Sequence, residues 1–84
     1  MKYCMITFRS VTPAQRGEGL LRRAGVGCTL RRTPRHMEQQ GCGYSLRVPC
    51  GDVVRAVSLL RANDVAFRKV YLKGDGDTLE EMVL

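Results

Sequence analysis

KYCMITFRSVTPAQRGEGLLRRAGVGCTLR, residues 2–31, decides the fold, because a strand, a helix and a second strand follow one another there with boundary signals between them. Residues 2–8 alternate and are rich in β-branched and aromatic types, which predicts a strand. Cys4, Ile6 and Phe8 share one of its faces; Tyr3, Met5 and Thr7 share the other. Both faces are fairly apolar, so this strand is expected in the middle of its sheet. Thr12-Pro13-Ala14-Gln15 then reads as a helix start, with Thr12 as N-cap, Pro13 at the first helical position and Gln15 three residues after the cap. Ala14, Gly17, Leu20, Leu21 and Ala24 recur at three- and four-residue spacing and form one apolar face. Gly17 lets that face lie close on a sheet, and Gly25 suits a left-handed C-cap. Val26, Cys28 and Leu30 alternate with Gly27, Thr29 and Arg31, which predicts a second, short strand with one buried face.

Downstream the same order returns in mirror. Residues 32–42, RTPRHMEQQGC, are polar and contain Pro34 and Gly41, so they read as a long loop. Tyr44, Leu46 and Val48 alternate with Ser45 and Arg47 as a third strand, stopped by Pro49. A second helix is expected from Gly51 or Asp52 to Arg61, burying Val53, Ala56, Val57 and Leu60. A fourth strand is expected from Val65 to Leu72. The order β-α-β-β-α-β predicts an α+β domain of ferredoxin-like type, a four-stranded antiparallel sheet with two helices on one face. It would occupy residues 1–73. Gly74-Asp75-Gly76-Asp77 breaks the pattern, and residues 74–84 are expected as an acidic C-terminal tail, either disordered or a short added helix.

The 84 residues fit one domain, and their 44% hydrophobic content suits a globular chain. Such a chain buries only roughly 60% of its unfolded surface, so the core must be thin. No apolar run approaches the roughly 20 residues that span a bilayer. The first residues lack the apolar centre and cleavage site of a signal peptide, so a cytoplasmic location is expected, with no membrane partner. The net charge of +6 is unevenly spread. All 14 Lys and Arg and four of the eight acidic residues lie in 1–73, a balance of +10, while Asp75, Asp77, Glu80 and Glu81 leave the tail at −4. A basic body favours anionic partners, unless the tail folds back and masks it.

In a reducing compartment the four cysteines, Cys4, Cys28, Cys42 and Cys50, are expected as thiols. No C-x-x-C occurs among them, and their spacing with the single histidine, His36, is not that of a zinc module. No metal and no cofactor is therefore expected. Cys42 stands out. Gly41 and Gly43 flank it and leave it unhindered, and Arg31, Arg32, Arg35 and His36 lie close enough in sequence to favour its thiolate, the nucleophilic form. The same Gly-Cys-Gly also fits a plain turn into the third strand. Cys50 is the rival thiol, just ahead of the second helix, and is a candidate resolving thiol for Cys42; a capping or semi-buried residue at a helix start is the plainer reading. Cys4 and Cys28 fall on faces shared with Ile6, Phe8, Val26 and Leu30 and read as core residues. Ser45 is a candidate hydrogen-bond donor near Cys42, and Arg35 and Arg47 are candidate anion-binding groups. Tyr3 and Tyr71 could stack bases on an open sheet face, but the RNP-type pattern is missing, so nucleic acid is not the expected partner. No carboxylate pair, serine triad or phosphate-cradling glycine loop is present.

Several short stretches, taken together, carry a resemblance. The opening KY-x-x-I-TF-x-S, LLRRAGV at the end of the first helix, Thr33-Pro34-Arg35, C-G-x-S-LR-V from Cys42, and LLRANDV at the end of the second helix occur in order over about residues 1–72. In this the chain resembles the small bacterial family of selenium/sulfur (Se/S) carrier-like proteins. The resemblance implies a ferredoxin-like domain whose shared cysteine corresponds to Cys42. It implies a carrier or adaptor more than a stand-alone enzyme, with a sulfur or selenium donor or acceptor protein as partner. A homodimer is also open to such a domain. Cys4, Cys28, Cys50 and the acidic tail lie outside the family pattern. A module that binds a ligand or protein without thiol chemistry is the alternative.

Overall fold

In a computed structural model the described residues are 3–32, 43–73 and 79–82. Strands β1 (Tyr3–Phe8), β2 (Thr29–Arg32), β3 (Tyr44–Pro49), β4 (Val70–Lys73) and β5 (Leu79–Met82) form one sheet in the order β2-β3-β1-β4-β5. Every neighbouring pair is antiparallel. Helices α1 (Val11–Arg23) and α2 (Val53–Ala62) complete the α+β architecture, with a single 3-10 turn at Cys50–Asp52 leading into α2.

β1 is the central strand, as its two apolar faces predict. Cys4 stands opposite Val48 and Leu72, and Ile6 opposite Leu46 and Val70. This face meets both helices and joins Leu21, Val57 and Leu60 in the buried core. Gly17 sits where the layers come closest. A Cβ there would come within 3.0 Å of Leu60 Cδ2 and 3.3 Å of both Leu46 Cδ1 and Phe8 Cζ. The helices are also tied directly, because Arg55 Nη2 on α2 donates to the Ala24 carbonyl at the end of α1, 2.7 Å away. On the opposite face of the sheet Met5, Thr7 and Ser45 are buried as well.

Four boundaries differ from the sequence expectation, each for a definable reason. The N-cap of α1 is Ser10, two residues before Thr12, and its side chain makes no cap hydrogen bond. Pro13 therefore lies third in the helix, where its missing N–H costs nothing because first-turn N–H groups have no intrahelical acceptor. β2 begins at Thr29 and not at Val26, and β4 begins at Val70 and not at Val65. In both cases the valine N–H is already engaged in closing the preceding helix: Val26 N donates to Leu21 O at 2.8 Å and Val65 N to Leu60 O at 2.9 Å. These are the six-to-one bonds of Schellman motifs, completed by Gly25 N to Arg22 O and Asp64 N to Arg61 O. Gly25 and Asp64 hold the required positive φ, +81° and +54°.

Just before β4, Arg68 and Lys69 together oppose Thr7. Thr7 N donates to Lys69 O at 2.8 Å and Arg68 N to Thr7 O at 2.7 Å, while Lys69 N donates to Thr7 Oγ1 at 3.1 Å. Two residues against one is the arrangement of a β-bulge, which delays the regular ladder until Val70. The last correction concerns residues 79–82, expected as disordered or helical. They form a fifth strand on the outer edge of β4, where Lys69 Nζ and the Glu81 carboxylate lie 3.0 Å apart. No described helix is long and apolar enough to cross a membrane.

Candidate functional site

β3 carries the described part of the candidate site. Gly43 is buried at its start, next to Cys42 in the chain. Arg35, Gly41 and Cys42 themselves lie outside the described residues. Ser45 is fully buried, and its hydroxyl donates to the Arg31 carbonyl of β2 at 3.5 Å. Two residues on, Arg47 points from the same face of the strand, opposite Met5 and Thr29 in register.

Arg47 reaches over the Tyr3 ring, with its guanidinium carbon 5.5 Å from the ring centroid, a cation–π arrangement. Its Nε is buried and has no hydrogen-bond partner among the described residues. Around it Tyr3, Gly27, Cys28, Thr29 and Pro49 line an open pocket of about 420 Å³. Arg47 also lines this pocket and brings a positive charge to it, so the pocket suits a small anion. Tyr71 shares the Tyr3 face of the sheet by register, and both rings are half-buried.

The described thiols occupy two settings. Cys28 donates to the Glu18 carbonyl of α1 at 3.7 Å. Burial pushes its thiol up, and the Arg22 guanidinium pulls in the opposite direction. Cys50 lies half-buried in the 3-10 turn after β3. At the usual strand rise of about 3.3 Å per residue, β3 carries the chain about 20 Å between Gly43 and Pro49. The structure brings Cys50 to Cys4, with the two sulfurs 2.6 Å apart and no disulfide between them. Cys4 is fully buried in β1, and its thiol is pushed up to about 12, first by burial and then by the hydrogen bond with Cys50.

Sequence reading assigned Cys4 to the core, which is correct, and missed its thiol neighbour. Only the strand register carries the signal. Pairing of Cys4 with Val48 places position 50 diagonally across on the same face, a relation that brings side chains within reach.

Fold and site together define a small antiparallel α+β domain that carries thiols and an arginine-lined pocket. Within that class the chain belongs to the family described as "Putative Se/S carrier protein-like", whose model matches residues 3–72. No curated protein and no solved structure matches the chain.

Proposed function

We propose that this protein is a carrier or adaptor in sulfur or selenium handling, with Cys42 as the carrier thiol. Membership of the Se/S carrier-like family over residues 3–72 is the observation that supports it. The Cys42 thiolate would attack the terminal sulfur of a donor persulfide, taking that sulfur as its own persulfide and returning the donor as a thiol. Gly41 and Gly43 give access, Arg35 favours the anion, and the partner is a donor or acceptor protein of the cytoplasm. The domain is read as ferredoxin-like; the order β2-β3-β1-β4 with both helices against one face supports this, β5 being an addition to that plan.

Loading with a cysteine desulfurase and cysteine, followed by intact-mass measurement, tests the proposal. Wild type should gain the mass of one sulfur, removable by a reducing thiol, and Cys42→Ser should gain none. Equal loading of both proteins, or of neither, sinks it.

A second reading rests on Arg47. Its positive charge at the lining of an open pocket supports a non-catalytic module that binds a small anion or an acidic partner. On that reading Arg47→Glu abolishes anion binding measured by calorimetry, whereas Cys42→Ser leaves it intact.

A further inference from the structure

We propose that Cys4 and Cys50 form a second chemical centre, a dithiol that reacts with small-molecule disulfides and closes into an intramolecular disulfide. The proposal is independent of Cys42. Three observations carry it.

The sulfurs stand 2.6 Å apart, whereas a disulfide bond needs about 2.05 Å, so closure asks for a shift of little more than half an ångström. The two thiols are also unequal in access: Cys50 is half-buried and Cys4 fully buried. That is the division of labour of an attacking and a resolving cysteine, in which only one has to meet the reagent. Finally, the two backbones differ in their freedom to adjust. Cys4 is held in β1 between two ladders, while Cys50 lies in a three-residue turn between β3 and α2. The small movement therefore falls to the turn.

The chemistry is a pair of exchanges. Cys50, as thiolate, attacks one sulfur of the small disulfide. A Cys50 mixed disulfide forms, and the other half leaves as a thiolate. Cys4 then attacks the Cys50 sulfur and expels the second half. The external disulfide gains two electrons, and its two thiolates take up the protons that the two protein thiols lose. The raised affinity of Cys4 for its proton fits the order, because Cys4 is a poor first nucleophile and acts only once its neighbour has been modified.

The test uses the full chain, reduced and then exposed to glutathione disulfide under native conditions. Remaining thiols are blocked with N-ethylmaleimide in denaturant, and the tryptic peptides are weighed. Each cysteine falls in its own tryptic peptide, 3–9, 24–31, 36–47 and 48–55, so pairings are read directly. The expected result is loss of maleimide from 3–9 and 48–55 together, with these two peptides joined as the main product and separated again by dithiothreitol. A Cys28→Ser/Cys42→Ser double variant should keep the link. Cys50→Ser should lose it and leave Cys4 fully maleimide-labelled. A glutathione adduct that persists on Cys50 without linkage overturns the proposal. So does indiscriminate pairing of all four cysteines, or a link that forms equally well in the urea-unfolded chain.

Discussion

The two helices end on nearly the same residues, LLRRAGV at 20–26 and LLRANDV at 59–65, and the comparison separates what a sequence must supply from what it can vary. Both ends close with the same pair of backbone bonds, and both bury the first and last members of that closure, Leu21 with Val26 and Leu60 with Val65. They differ at the left-handed position. The first half uses glycine there, for which positive φ has no steric cost; the second uses Asp64, a type that tolerates it at some expense. The apolar brackets are thus common to both halves, while the residue at the turn is negotiable within a short list.

Removing the brackets should break the comparison most severely. Leu21→Ala and Leu60→Ala are each expected to cost about 2–5 kcal/mol in urea unfolding, the range for deleting a buried leucine. A cost below about 1 kcal/mol at either site would show that this closure is not anchored by its leucine.

The next effect lies where the halves meet through their thiols. Cys4 has its pKa raised from 9.0 to about 12 in the folded protein, so the folded state holds this proton more tightly than the unfolded chain does. Its contribution to stability is therefore complete below pH 9 and is lost as pH rises from 9 towards 12. Urea midpoints should fall across that window in wild type, and less steeply in Cys4→Ala. Parallel pH profiles would count against the assignment.

The smallest expected effect sharpens the comparison at the turn. Gly25→Ala places a Cβ at positive φ and should cost about 1–2 kcal/mol. Asp64→Gly should change thermal stability by only a few tenths of a kcal/mol, because relief of strain offsets the added freedom of the unfolded chain. If both substitutions cost the same, the two positions are not equivalent.

Much of this was legible beforehand, for reasons that lie in periodicity. The alternation of Cys4, Ile6 and Phe8 identified the core face of β1, and the apolar spacing of Val53, Ala56, Val57 and Leu60 identified that of α2. Strand starts were less legible. Val26 and Val65 look like strand residues, and nothing in a β-branched side chain reveals that its own N–H is committed to the preceding helix. β5 was illegible because Leu79-Glu80-Glu81-Met82 has little strand character of its own. It pairs because the outer edge of β4 offers unfilled backbone groups. The thiol neighbourhood of Cys4 and Cys50 required the register between β1 and β3, which no local pattern supplies.

The central position of β1 also sets an order of events during synthesis. Its two partners lie far downstream, with Cys4 facing Val48 on one side and Leu72 on the other. The helices can close their ends through contacts five residues apart, but the strand that organises the sheet must wait for most of the domain to leave the ribosome. Until then its apolar faces have no sheet to enter. This domain should therefore gain its tertiary structure late and in one step, and the interval before β4 emerges is when the nascent chain is most exposed to chaperones and to aggregation.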